Sequence, residues 1–453
     1  MTAAQDRHRR AHLVFNRFGL GAKPGGIGRI MTDARAALQA ELDTPSIALI
    51  ADPSLPSYGA ACQAVHTDFS VEYGLQEKEL SARIIKHLTP EIGFVERLVL
   101  FFSNHFSMSV NKDGAVRATI GQLERDVIRK NVLGSFQTML LGVMKHPAML
   151  CYLDNDQSIG PASPTGISWG VGLNHNLARE NLELHTLGVA GGYTEADING
   201  LAKILTGWSF VRGWEADGRY NGGTPATRGR FIFRGDWHEP GAQTVLGKSY
   251  AQTGTTQGAA VLAALAHHPA TAQNLAFKLV RHFITDTPTP ALVDPVALAF
   301  RQSGGNLKAM AQALIDLPEA WTMPLHKLRT PYDLQIAEMR ALSRIYPQNN
   351  RWPFSETLAA LRNKPWERPA PDGYTDESAY WMGPNAMRLR LETAQMNVWG
   401  LQQVKPYANT AAYLADRLFA EALSPESKLA VAVAPDLDAG LTTVFMIPEF
   451  QRR

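Results

Sequence analysis

A 3.6-residue apolar repeat runs through most of this chain and constrains its fold more than any other feature. Apolar stripes with this period occupy residues 26–43, 75–88 and 116–134, and they resume from residue 257 onward. Such stripes are typical of amphipathic helices that pack against a common core. The sequence therefore predicts a mainly α fold: a large multi-helix single domain over residues 1–453.

Residues that start helices agree with this pattern. Pro90 opens the segment "PEIGFVERLVLFFSNHFS" and predicts a helix that begins there, because proline suits the first helical position. Ser135 is a candidate N-cap for the helix that follows it. Thr194 and Asp197 have the spacing of a capping box.

The one convincing β signal lies at residues 208–250. "WSFVRGW" and "RFIFRG" alternate as paired strands do, and "NGGTPATRG" between them is rich in turn residues. We predict a small β-hairpin insertion at 208–250 within the helical domain.

Charge and composition exclude some partners. The chain has 44 Lys and Arg against 42 Asp and Glu, a net charge of +2, which argues against nucleic acid as an obligatory partner. No run of about 18 apolar residues occurs, so we predict no membrane span. No signal peptide is recognisable, and we expect a cytoplasmic protein, with export of a processed form as the alternative. Charge and composition do not exclude a protein partner.

The strongest candidate site is a charged cluster in "NLARENLELHTLG" (176–188). On a helix, Glu180 and Glu183 lie about 60° apart and can share a ligand, whereas His185 points about 160° away from Glu183. His185 therefore joins the glutamates only if the helix distorts or ends. Two carboxylates and an imidazole suit a divalent metal. The structural alternative is an ion pair between Arg179 and Glu183, with His185 stabilising the helix C-terminus.

Three further segments hold candidate residues. His105, at the end of an apolar helix, is either a ligand facing a pocket or a hydrogen-bonded core histidine. His238 lies in a loop after the hairpin, where binding residues concentrate but where solvated turns also occur. Arg281 and His282 are candidate anion contacts, and the alternative is a solvated face that includes Lys278.

These segments, in their order along the chain, resemble a bacterial family known as domain of unknown function 1800 (DUF1800). The matching pieces include "HLVFNRFGLGAKPG", "LVLFFSNHFS", "FRGDWHEPGAQTVLGK", "PDGYTDESAYWMGP" and the stretch from Asn176 to Trp208. The family form of that stretch has a glutamate where this chain has His175 and a leucine where it has Asn181. The resemblance implies a mostly helical single-domain protein, often secreted in relatives, and it implies no particular reaction.

We interpret the candidates as parts of a metal-assisted enzyme, with hydrolysis as the leading hypothesis. A divalent metal held by His105, Glu180, Glu183 and His185 would activate water. Arg179, Glu180 and His238 would act on the substrate, an unidentified small molecule or polymer.

Two alternatives stay open. In the first, the protein is a non-catalytic binding or scaffold protein, and the same polar groups form a buried hydrogen-bond network. In the second, it binds carbohydrate or another polymer through tryptophans near the loops, namely Trp169, Trp208, Trp214 and Trp237. An open cavity beside the polar groups would favour a functional site, and a sealed network would favour a structural one.

Overall fold

The computed structural model describes residues 2–212, 215, 224, 227–342, 358–402 and 411–453. Helices dominate this part of the chain, which confirms the predicted mainly α class. Before the β segment the helices are α1 (Ala3–Leu13), α2 (Gly26–Ile30), α3 (Ala34–Leu42), α4 (Tyr58–Thr67), α5 (Val71–Leu88), α6 (Phe94–His105), α7 (Gly114–Leu123), α8 (Arg129–Asn131), α9 (Phe136–Lys145), α10 (Pro147–Tyr152), α11 (Pro164–Trp169), α12 (Asn176–Glu180) and α13 (Glu195–Leu205).

The helices after the β segment pack onto the same core. They are α14 (Thr255–Ala266), α15 (Pro269–Phe283), α16 (Pro290–Gln302), α17 (Leu307–Asp316), α18 (Glu319–Thr322), α19 (Pro331–Ala341), α20 (Pro384–Gln402), α21 (Ala411–Phe419), α22 (Pro425–Ala432), α23 (Leu437–Met446) and α24 (Pro448–Gln451).

Most of the buried apolar side chains form one continuous cluster that includes residues from α1 to α24. Because each amphipathic helix buries one face, the shared cluster holds distant parts of the sequence together. The single-domain organisation stays a prediction. Within the described residues, no helix combines the length and apolar character needed to cross a bilayer.

Two of the predicted helix starts are confirmed and one is wrong. Ser135 accepts a hydrogen bond from the Thr138 amide, and Thr194 forms a capping box with Asp197. The helix expected from Pro90 instead begins at Phe94. Its cap is the carboxylate of Glu41, which accepts hydrogen bonds of 2.8–3.0 Å from the amides of residues 92–94.

The described residues of the β segment form two antiparallel hairpins rather than one. Strand β1 (Trp208–Phe210) pairs with β2 (Phe231–Phe233), as predicted, with Trp208 opposite Phe233. Strand β3 (Gln243–Val245) pairs with β4 (Lys248–Tyr250) across a two-residue turn. Both turn residues, Leu246 and Gly247, have positive φ angles of 51° and 70°, as a type I′ turn requires. Most of "NGGTPATRG" lies outside the described residues.

In the part of the chain that the structure describes, three helices contain a five-residue π-helical segment: Val14–Phe18, Glu124–Ile128 and Asn181–His185. Each π-segment includes buried polar or charged side chains. Such wide turns often mark functional positions, because they change the direction of side chains on one face. The third segment lies within the charged stretch that was identified as the strongest candidate site.

Candidate functional site

The charged stretch is a helix that widens before it ends. Helix α12 continues directly as the π-helical segment Asn181–His185, so the distortion needed to redirect His185 is present. His185 nevertheless has a different environment from the two glutamates. His185 is fully buried, whereas Glu180 and Glu183 are half-buried.

Arg179 pairs across to the next helix. Its guanidinium donates to both carboxylate oxygens of Glu195 on α13, at 2.8 and 2.9 Å. The ion pair with Glu183, expected as the structural alternative, is therefore not formed. Burial raises the pKa of Glu180, and the nearby carboxylates of Glu183 and Asp372 raise it further.

His105 and His185 are neighbours among aromatic side chains. Their ring centroids lie 6.0 Å apart, and both rings contact Phe106. Burial lowers the pKa of His185 to about 3, so its ring is neutral at physiological pH. Neither nitrogen of His185 has a hydrogen-bond partner among the described residues.

His238 lies on the hairpin side of the molecule. Its Nδ1 is 3.0 Å from the Thr206 carbonyl oxygen, and its ring contacts Phe233. Across the described ranges, no three His, Cys, Asp or Glu side chains are grouped so that they could hold a metal ion. The structure thus brings His105 and His185 together but not the complete predicted set, and the metal site stays a prediction.

The end of the π-helical segment is stabilised by side chains from two other helices. Lys278 Nζ donates to the Leu184 carbonyl at 2.9 Å, and Asn274 Nδ2 donates to the Thr186 carbonyl at 2.8 Å. His105 Nε2 lies 3.1 Å from the His185 carbonyl between them and donates to it. The last carbonyls of a helix have no partners within the helix, so α6 and α15 supply the missing donors.

A cavity of about 340 Å³ lies beside these donors, within the usual size range of small-molecule sites. We call it the Lys278 cavity. Its walls come from α6, from α15 and from residues 365–381, which we call the covering segment. The lining residues are Phe101, Asn104, His105, Lys278, Arg281, Arg368, Asp372, Gly373, Tyr374, Thr375, Asp376, Glu377 and Tyr380.

Asn104 fixes the covering segment against α6. Its Nδ2 donates to the Tyr374 carbonyl at 2.8 Å, and its Oδ1 accepts from the Tyr374 amide at 2.7 Å. The neighbouring Gly373 has a φ of 76°, and a Cβ there would lie 2.5 Å from the Asn104 carbonyl oxygen. Only glycine fits this position without a shift of the backbone.

Among the described residues, the charges in the Lys278 cavity are paired with one exception. Arg368 pairs with Asp372 at 2.9 Å, and Arg281 pairs with Glu377 at 3.2 Å. The Asp376 carboxylate contacts two side chains of the protein interior, His282 at 2.7 Å and Arg453 at 3.2 Å. Lys278 has no carboxylate within ion-pair distance in the described chain, and its hydrogen bond goes to a backbone carbonyl.

Lys278 is not part of a solvated face, contrary to that sequence interpretation. Burial lowers the pKa of Lys278 to about 8, and the positive charge of Arg281 adds to the effect. The signal missed in the sequence is the i,i+4 spacing of Asn274 and Lys278, which places both on one face of α15.

His282 lies between two charged side chains, Asp376 and Arg97. Its Nδ1 donates to Asp376 at 2.7 Å, and its Nε2 accepts from Arg97 at 3.0 Å. Both ring nitrogens are therefore occupied inside the protein. A smaller cavity of about 80 Å³ lies next to His282 and shares the lining residues Asn104, Tyr374, Thr375 and Asp376 with the Lys278 cavity.

The tryptophans named for polymer binding have different environments. Trp208 is fully buried, which removes it from any binding surface. Trp169 is 63% exposed, and its ring meets that of Trp237 edge to face at 6.3 Å. Trp214 lies outside the described residues.

Fold and site together define a mainly helical protein with a polar, partly open cavity at the junction of α6, α15 and a Pro-rich segment. The chain belongs to the family described as "Protein of unknown function (DUF1800)", whose model matches residues 13–452. Searches of curated proteins and of solved structures found no match.

Proposed function

We propose that this protein binds a small organic anion in the Lys278 cavity. The observation that carries the proposal is the ammonium group of Lys278, which makes no ion pair with a carboxylate in the described chain and is attracted by Asp376 and Asp372 only at longer range. A lysine ammonium has three N–H donors, and the Leu184 carbonyl uses one of them. Two donors and one positive charge are left to a ligand.

The other charged groups support a ligand with a single negative charge. Arg281 and Arg368 each pair with a carboxylate in the wall, so each of these two positive charges already has a partner within ion-pair distance. A carboxylate would neutralise Lys278 and accept its remaining hydrogen bonds. Hydrogen bonds to charged groups contribute about 1.5–3 kcal/mol each, which suffices to orient a small ligand.

The first experiment compares acids with their neutral amides. Thermal unfolding is measured with propionate, benzoate, propionamide and benzamide at matched ionic strength. We expect the acids alone to raise the unfolding temperature of the native chain. Lys278→Gln removes the charge but keeps an N–H donor for the Leu184 carbonyl, and it should abolish the effect. The control, Lys428→Gln, changes an exposed lysine on α22 and should leave the effect intact.

The pH dependence gives a second readout. Because the pKa of Lys278 is about 8, the ammonium is charged at pH 7 and largely neutral at pH 9. Anion affinity should therefore fall as the pH rises through 8. The proposal would be refuted if acids and amides raised the unfolding temperature equally. It would also be refuted if the acids raised the unfolding temperature of Lys278→Gln as much as that of the native chain.

Polymer binding is a second candidate function, favoured by the exposure of Trp169 beside Trp237. Exposed tryptophan rings stack on the apolar faces of sugars. Electrophoresis through gels that contain soluble polysaccharides tests this function. Retardation that Trp169→Ala abolishes would support it, and unretarded migration in every gel would oppose it.

A further inference from the structure

We infer that this protein binds the phosphate group of a phosphomonoester at a second site, formed by Lys23, Arg29 and Arg417. We call these three side chains the Arg417 cluster. None of them is among the described residues that line the Lys278 cavity, so this inference does not depend on the proposed function. Guanidinium groups suit phosphate because two of their N–H donors match two phosphate oxygens.

A tight turn in the glycine-rich segment "GLGAKPGG" (19–26) brings the cluster together. The Lys23 carbonyl accepts a hydrogen bond from the Gly26 amide at 2.8 Å. Gly25, which follows a proline, has a φ of 74° and a ψ of 5°, as the second central residue of a type II turn requires. The Gly25 amide donates to the Arg417 carbonyl at 2.9 Å, which attaches the turn to α21.

The missing side chain at Gly25 leaves room for two guanidinium groups. A Cβ at this position would overlap Arg417 Nη2 and would lie 3.3 Å from Arg29 Nη1. Both nitrogens therefore lie next to the same turn. Two like charges this close to each other repel, and a bound anion would offset that repulsion.

Arg417 has unused hydrogen-bonding capacity. It is exposed, and its guanidinium makes no hydrogen bond or ion pair within the described residues. Arg29 by contrast donates to the Glu91 carboxylate at 2.7 Å. Lys23 uses one of its three donors for the Thr89 carbonyl, at 2.9 Å. One carboxylate thus pairs with three cations, and the remaining positive charge matches a phosphate dianion.

The electrostatics of Lys23 agree with this excess of positive charge. Burial lowers the pKa of Lys23 to about 8, and nearby arginines lower it further, against the opposing effect of Glu91 and Glu41. Glu41 is already engaged, since its two oxygens accept hydrogen bonds from the amides of residues 92–94. Lys23 is mostly charged at pH 7 and can donate to an anion.

Methyl phosphate and dimethyl phosphate test the inference, because at pH 7 the monoester is mostly a dianion and the diester is a monoanion. Dissociation constants are measured by calorimetry on the full chain at matched ionic strength. We expect methyl phosphate to bind about tenfold more tightly than dimethyl phosphate, as one more charged hydrogen bond allows. Arg417→Gln should weaken the binding of methyl phosphate by about tenfold or more.

Two control variants should bind methyl phosphate as the native chain does. Arg301→Gln changes another exposed arginine, on α16, and Lys278→Gln changes the other proposed site. Phosphorus NMR of methyl phosphate with the native chain gives a second readout that needs no variant, and its resonance should shift on binding. Equal affinities for the two phosphates, or equal affinities of Arg417→Gln and the native chain for methyl phosphate, would overturn the inference. Loss of methyl phosphate binding in Lys278→Gln alone would also overturn it.

Vesicles distinguish the two sources of a phosphomonoester, a soluble compound and a lipid head group. The chain is sedimented with phosphatidylcholine vesicles that contain or lack phosphatidic acid. Sedimentation that requires phosphatidic acid and that excess methyl phosphate reverses would support the Arg417 cluster as a lipid head-group site. Binding of methyl phosphate without sedimentation would support it as a site for a soluble phosphomonoester.

Discussion

His185 and His105 are adjacent buried histidines with different hydrogen-bonding states. His105 donates to a carbonyl, whereas His185 has no partner on either nitrogen in the described chain. An unpaired buried imidazole costs free energy unless a ligand or metal occupies it. The two residues therefore allow a test that separates a structural role from a binding role.

We predict that His185→Leu raises the free energy of unfolding by up to about 2 kcal/mol, since leucine has a similar volume and no unpaired nitrogen. His105→Leu removes a donor that the His185 carbonyl uses, and it should cost about 1–3 kcal/mol. Urea unfolding measures both. A large loss of stability in His185→Leu, together with loss of bound metal detected by elemental analysis, would instead restore the metal-site hypothesis.

At the scale of elements, the helix that ends at His185 depends on its neighbours. The donors for its last carbonyls come from α6 and α15, at residues that are far away in the sequence. Helix α6 itself begins where the Glu41 carboxylate caps it. Helix boundaries near the cavity are thus set by tertiary contacts as much as by local sequence.

Asn274 allows a test of this dependence. Asn274→Ala leaves the Thr186 carbonyl without its donor and should lower the free energy of unfolding by about 1–3 kcal/mol. Gln273→Ala changes the adjacent, exposed residue and should cost no more than about 0.5 kcal/mol. Chemical denaturation of both variants measures the difference. Equal losses of unfolding free energy in the two variants would mean that the hydrogen bond from Asn274 to the Thr186 carbonyl does not stabilise the protein.

Across the whole molecule, buried charges tie the helices together. Arg129 is 1% exposed and pairs with Glu96 at 2.8 Å and with Glu124 at 3.1 Å. His87 on α5 joins the same network through Glu96 at 2.8 Å. Removing one member of such a network leaves an uncompensated buried charge, which is costly. The interior is therefore sensitive to changes in protonation.

We predict that stability falls as the pH drops from 6.5 to 5. Burial lowers the pKa of His12 to about 4 and that of His146 and His185 to about 3, and it also lowers the pKa of His105. Over this range the unfolded chain takes up protons on these histidines and the folded chain does not. Each histidine then lowers the free energy of unfolding by up to about 1.4 kcal/mol for each pH unit.

Two buried glutamates act in the opposite direction. Burial raises the pKa of Glu79 to about 7 and that of Glu338 to about 8, so the folded state holds their protons more tightly. Four histidines should outweigh two glutamates, and the midpoint of urea unfolding should move to lower concentration at pH 5 than at pH 6.5. An unchanged or higher midpoint at pH 5 would contradict this balance.

Local patterns in the sequence predict the helical class, the first hairpin and the caps at Ser135 and Thr194. These features depend on contacts between residues close in the chain, and their physics can be read from spacing alone. His105 is recognisable in the same way, as a polar residue in an apolar run.

The composition of the cavity could not be read from spacing. Lys278 looks like a surface lysine until α15 packs against the end of another helix, and only that packing buries its ammonium beside a neutral histidine. The sequence by itself determined which segments form helices and where polar residues interrupt them. The tertiary structure decided which of those residues meet, because burial and pairing of charges depend on contacts between distant parts of the chain.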